Sequence, residues 1–114
     1  MTKIRNFTPH SVNLFDGDSQ VATFPSQGVA RVSVSTVSLP PLTVDLDGVE
    51  VTIPFMATEL GSVEGLPDAT PGVVLVVSRI VAAACPNRKD LVVPDDLVRD
   101  SQGRVVGCRR FALP

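Results

Sequence analysis

Apolar and polar positions alternate most cleanly in "VARVSVSTVSL" at residues 29–39. Val29, Arg31, Ser33 and Ser35 fall on one side, and Ala30, Val32, Val34 and Thr36 on the other. Successive side chains of a strand point to opposite faces, so a period of two predicts a half-buried strand. The same alternation returns in "VEVTI" at 49–53. "LDG" lies between the two runs. Asp-Gly accepts positive backbone angles, so "PPLTVDLDGVEVTIPF" predicts a hairpin. Upstream, residues 3–7 and 11–15 predict two short strands with "TPH" between them. Pro9 lacks an N–H and suits a loop or a strand edge. "DGDS" at 16–19 and "PSQG" at 25–28 are turn signals that bracket a further strand, "QVATF".

The periodicity fades over 57–72, "ATELGSVEGLPDATPG", which is rich in Gly and Pro and predicts a loop with at most one turn of helix. "VVLVV" at 73–77 is continuously apolar and predicts a strand buried on both faces. Ser78 is a capping residue ahead of the Ala-rich "RIVAAAC", and Pro86 stops that run after about two turns. "NRKD" reads as a loop and "LVVP" as a short strand. "LVRDSQGRVVGCRRF" predicts a terminal hairpin turning at "DSQG". The expected fold is α+β and mostly β. It is an antiparallel sheet of short strands with one short helix near residues 78–85 and a C-terminal hairpin.

Composition agrees with this pattern. The chain has 20 valines, five phenylalanines, and no Trp or Tyr. Valine is stiff at its first side-chain torsion and fits a pleated surface. A length of 114 residues allows a single domain, 1–114. The opening "MTKIRNFTPH" carries no apolar signal-peptide core, and no apolar run approaches the roughly 20 residues of a membrane span. A soluble, cytoplasmic protein without membrane contact is expected. Cys85 and Cys108 are too few for a disulfide framework and predict free, buried thiols. With His10 as the one histidine, they lack zinc-ligand spacing, so neither metal nor cofactor is expected.

Charge changes the picture more. Residues 1–78 hold three basic and eight acidic side chains, a balance of −5, whereas 79–114 hold seven basic and four acidic, a balance of +3. Such an asymmetry predicts a local anion site in the C-terminal third and no affinity for DNA by the protein as a whole. A phosphate-binding "GxxxxGK[ST]" is absent, and any Ser–His–Asp or Cys–His arrangement would have to use His10. Asp95 and Asp96 are neighbours and would point to opposite faces of a strand, so they predict a cap or turn before a catalytic pair.

The arginines are the remaining chemistry. Arginine suits bidentate phosphate contact and stacking on a base. On a 104–111 strand, Arg104 and Arg110 share a face but stand about 20 Å apart, too far to clamp one phosphate. Arg79 sits in the first turn of the helix, where the macrodipole disfavours a cation without a neighbouring anion or carboxylate. Asn87 and Arg88 follow the helix stop in a loop. The competing expectation is surface ion pairs to Asp90, Asp95, Asp96 and Asp100. Gly107 marks either a bulge or a close approach by a ligand or second chain.

The opening "NFTPHSVNLF" and the closing "VSRIVAAACPNRKDLVVPDDLVRDSQGRVVGCRRF" resemble small proteins of phages and actinobacterial genomes that carry "LTPH" near one end and "VRDxxGRVxGCRxF" near the other. They also resemble the phage anti-Thoeris sponge proteins. The match to the small phage and actinobacterial proteins covers roughly 45 residues, at the two ends, and leaves the middle unmatched. The sponge resemblance implies a non-enzymatic protein that sequesters a cyclic ADP-ribose-type or cyclic oligonucleotide immune signal. It also implies a homo-oligomer, dimer-based and up to a hexamer, with pockets between subunits. The residues it implicates are Arg79, Asn87, Arg88, Asp90, Arg104 and Arg109. Phe111 is the one aromatic ring the matched segment offers an adenine. Two other expectations stand beside this one. One is a β-rich phage assembly protein that associates through edge strands or a valine-rich face, its arginines making salt bridges between subunits. The other is a nucleotide-processing enzyme using His10 or an aspartate.

Overall fold

The computed structural model describes residues 2–114. The chain forms β1 (Lys3–Asn6), β2 (Val12–Asp16), β3 (Ser19–Phe24), β4 (Arg31–Leu46), β5 (Val49–Glu64), β6 (Val73–Val76), α1 (Arg79–Ala84), β7 (Leu91–Arg99) and β8 (Val105–Ala112). The protein is mostly β with one short helix, as the alternating pattern requires. Two compact units result: a body of Met1–Val32 and Val63–Pro114, and an arm of Ser33–Ser62.

The body is a six-stranded sheet in the order β1-β6-β7-β8-β2-β3. β7 and β8 form the expected antiparallel C-terminal hairpin, and β2 and β3 a second antiparallel pair. Three pairings are parallel, β1 with β6, β6 with β7, and β2 with β8, a feature the strand pattern alone does not specify. The parallel β6–β7 pair is joined through α1, the crossover that parallel neighbours require. Strands buried on both faces read as continuous apolar runs, and β6 fits: Leu75, Val76 and the following Val77 are almost wholly buried.

The helix starts where Ser78 predicts. Its Oγ accepts from the Val81 N–H at 3.4 Å, and the helix ends at Cys85, before Pro86. Val81 and Ala82 face inward and join Phe7, Ala30, Leu75, Val77, Leu91 and Val93 in the core. The short strand expected at "LVVP" and the first strand of the terminal hairpin are one element, β7. It continues past Pro94, with Asp96 at φ 51° and a register shift between Val98 and Arg99.

The arm differs from the expectation. Residues 57–64 were expected to be loop, but they continue β5, so each arm strand is 16 residues long. The hairpin turns at Asp47 and Gly48, both at positive φ (51° and 86°), as a two-residue hairpin turn demands. The Gly48 N–H donates to Asp45 Oδ1 at 2.9 Å and closes that turn. β4 and β5 form a two-stranded sheet of their own. Pro40, Pro41 and Pro54 lie inside these strands, where they would break a wide sheet. Each strand of a two-stranded ribbon has one open edge that needs no N–H donor, and since successive residues turn their N–H groups to opposite edges, one of Pro40 and Pro41 falls on it and the other costs the ribbon a ladder hydrogen bond.

Candidate functional site

The "NFTPH" segment is a structural joint. Asn6 is fully buried. Its Nδ2 donates to the carbonyls of His10 and Phe24, both at 2.8 Å. Its Oδ1 accepts from the Thr8 N–H at 2.9 Å and the Thr8 hydroxyl at 2.6 Å. All four polar valences of the amide are therefore used within the chain. Ser26 adds a hydroxyl bond to the Thr8 carbonyl at 2.7 Å. Gly107 has a similar explanation. A Cβ there would stand 2.5 Å from the Asn13 carbonyl oxygen and from the Phe15 ring, so the close approach is by β2 of the same chain.

The arginines of the C-terminal third each face a carboxylate or carbonyl. Arg88 is the most enclosed. Its Nε and Nη2 grip Asp90 Oδ1 and Oδ2 at 2.9 and 2.8 Å, and Nη2 also donates to the Pro67 carbonyl at 2.9 Å. This fork, about three-quarters buried, holds the Asp90 carboxyl below the usual carboxylate range and raises the guanidinium, in both cases chiefly through the side-chain hydrogen bond. Arg110 Nε donates to Asp95 Oδ2 at 2.8 Å, and Arg79 Nη2 meets Asp95 Oδ1 at 3.2 Å. Arg79 thus has the carboxylate that its place in the first helical turn calls for. The Asp95 carboxyl is lowered, first by the Arg110 hydrogen bond.

Arg104 lies in the β7–β8 turn, its Nε 3.0 Å from Asp100 Oδ2. The Arg104 backbone N–H also donates to Asp100 and is the main reason that carboxyl is lowered. Arg109 donates to the Gly17 carbonyl at 3.0 Å and has Asp96 at 3.6 Å and Asp18 at 3.8 Å. Phe111 packs edge-on against Phe24, with ring centroids 5.8 Å apart.

Of the seven residues singled out by sequence, Asn87, Arg88 and Asp90 come together. They line a cleft of about 490 Å3 with Thr2, Thr70, Gly72 and Lys89. Arg79, Arg104, Arg109 and Phe111 lie elsewhere, each with the neighbours just described. Lys89 is exposed and lines the same cleft, yet the sequence offered no signal to prefer it over any other lysine. Cys85 and Cys108 are free; Cys108 is buried and burial pushes its thiol up, while Cys85 is half-buried. Among the described residues no helix is long and apolar enough to cross a membrane.

The arm is the other surface of note. Leu42, Leu46, Val49, Phe55 and Met56 are all exposed there. Residues 33–62 hold four acidic side chains, Asp45, Asp47, Glu50 and Glu59, and no basic one. Comparison with known protein families, curated proteins and solved structures finds no match for this chain.

Proposed function

We propose that this chain is a non-enzymatic assembly protein whose partner is protein rather than a nucleotide. The arm carries the reading. A two-stranded ribbon alone is at best marginally stable in water, and this one exposes large aliphatic side chains along its length. Covering that surface stabilises both the ribbon and the complex. The arginine partners Asp18, Asp90, Asp95, Asp96 and Asp100 lie in the same chain, so the arm and not an arginine bridge between subunits carries this reading. The assembly is a homo-oligomer, dimer-based and up to a hexamer, in the cytoplasm of a host cell if the chain is phage-encoded. Sedimentation equilibrium from 1 to 100 µM tests it. Oligomers are expected, and a monomer at every concentration together with no protein partner in a host extract would reject the proposal.

A second reading is favoured by the Asn87–Arg88–Lys89 cleft and by the resemblance to signal-sequestering phage proteins. Here the cleft captures a cyclic ADP-ribose-type or cyclic oligonucleotide signal without cleaving it. Its volume lies within the usual range of small-molecule sites. Lys89 and the Asn87 amide would meet phosphate, while Arg88 is already committed to Asp90. Calorimetry with cyclic ADP-ribose isomers and cyclic di- and trinucleotides decides it. Heat that disappears in Lys89→Ala, with the ligand recovered intact, supports capture; no heat at 50 µM protein removes it.

A further inference from the structure

The turn after α1 borders two cavities of the body. The Arg88 N–H donates to the Cys85 carbonyl at 3.1 Å, so Pro86 and Asn87 turn tightly at the end of the helix. Arg88 and Lys89 line both cavities. The first is the cleft already described. The second, of about 360 Å3, has a wall of Ala82, Cys85, Pro86, Leu91, Leu113 and Pro114. Leu91 and Ala82 are almost wholly buried and belong to the core, so this cavity opens onto it.

We propose that this second cavity binds a small amphipathic anion, an aliphatic chain of medium length with an anionic head. The inference goes beyond the assembly and nucleotide readings and depends on neither. Three observations select this chemistry. The first is the wall. It is aliphatic, with no aromatic ring to stack on a base and no side-chain amide or hydroxyl to read a base edge, so it suits a chain better than a nucleobase. A chain lodged there also covers the Leu113 side chain, which is 74% exposed. The second is the border. Its polar side chains, Arg88 and Lys89, are both cationic. Lys89 forms no ion pair among the described residues. Arg88 uses Nε and Nη2 for Asp90 and Pro67, while its Nη1 has no hydrogen-bond partner among the described residues. An anionic head at that border therefore meets an unpaired ammonium and uncommitted N–H donors. The third is size. The cavity lies at the small end of the range for small-molecule sites, which fits a chain such as that of decanoate and not a long lipid tail.

The test titrates the 15N-labelled full chain with decanoate and follows it by NMR. Saturable shifts are expected at Ala83, Cys85, Leu91 and Leu113. Octanoate should bind about tenfold more weakly, because two buried methylenes are lost. Octanoate and octyl phosphate, compared with 1-octanol, read the head group. At least one anion should bind about threefold more tightly than the alcohol, and the tighter anion identifies the head. Lys89→Ala should weaken that anion about threefold and leave 1-octanol unchanged. Ala83 is exposed and lines the cavity, so Ala83→Phe fills it without touching the core and should abolish binding. If that variant does not fold, alkylation of the wild-type chain by N-ethylmaleimide replaces it. Cys108 is buried, so Cys85 is the thiol that reacts, and decanoate should slow its reaction. No saturable shift up to about 1 mM decanoate overturns the proposal. So do shifts confined to the exposed aliphatic side chains of the arm, 1-octanol binding as tightly as both anions, or binding that survives Ala83→Phe. Cyclic nucleotides titrated separately report on the nucleotide reading. Shifts with them and none with decanoate would leave that reading standing and overturn this one.

Discussion

At the scale of single residues, the chemistry that stands out in the sequence turns out to hold the body together. Asn6 shows this most sharply. Its amide is buried and makes four hydrogen bonds to three residues, Thr8, His10 and Phe24. Truncating it removes the amide donor to the Phe24 and His10 carbonyls, of which His10 keeps the Thr8 hydroxyl at 3.0 Å. Asn6→Ala is expected to cost about 3 kcal/mol in urea denaturation. Thr8→Val, which removes one hydroxyl from the same joint, should cost about 1 kcal/mol. Gly107→Ala should destabilise by about 1–3 kcal/mol, because the added Cβ meets the Asn13 backbone and the Phe15 ring. A loss under about 0.5 kcal/mol in either Asn6→Ala or Gly107→Ala would show that β2 and its neighbours can relax around the change.

At the scale of elements, the arm and the body have separate foundations. The buried core draws on β6, β7, α1 and residues around Phe7 and Ala30, with Val32 and Val63 packed against it at the arm's base. No residue of Ser33–Ser62 belongs to that cluster. Replacing residues 39–55 by an Asn-Gly turn is therefore expected to leave the body folded, with its urea midpoint changed by less than the scatter of the measurement. Loss of cooperative unfolding in the shortened chain would show that the arm is needed for the body to fold. The element pattern also shows which signals were legible. The alternation of 29–39, the capped helix after Ser78 and the "DSQG" hairpin were visible because each rests on local preference. The extension of β5 over Ala57–Glu64 was not. Ala57, Glu59 and Gly61 argue against a strand locally, and pairing with β4 across the ribbon overrides them.

At the scale of the whole molecule, each of the four aspartates of the C-terminal third meets at least one arginine, and the third keeps its balance of +3. Asp90, Asp95 and Asp100 are all held below their ordinary values. A carboxyl whose native value is depressed releases its proton more readily folded than unfolded. Its contribution is therefore complete above the usual carboxylate range and is lost as pH falls through the depressed native value. The Asp95 and Asp100 pairs face solvent and add little. The enclosed Arg88–Asp90 fork should dominate. Asp90→Asn is expected to cost about 1–2 kcal/mol near neutral pH. The gap from wild type should close as the pH is lowered towards 2. A gap that stays constant from neutrality into acid would mean that Asp90 contributes by packing and not by charge.

The sequence by itself determined the strand-rich character, the helix and its cap, the hairpin turns at "DGDS", "LDG" and "DSQG", and the polarity of the C-terminal third. These follow from side-chain periodicity and backbone preference, which act between near neighbours. Tertiary structure decided how the arginines are used. Arg79 meets Asp95 sixteen positions away, Arg88 reaches the carbonyl of Pro67 twenty-one away, and Arg109 reaches Gly17 ninety-two away. Such pairings depend on strand order, and strand order is set by which apolar faces bury together. Tertiary structure also decided that β4 and β5 pair with each other and stand outside the six-stranded sheet. A strand's own residues state which of its faces is apolar; only the assembled fold states whether that face is covered.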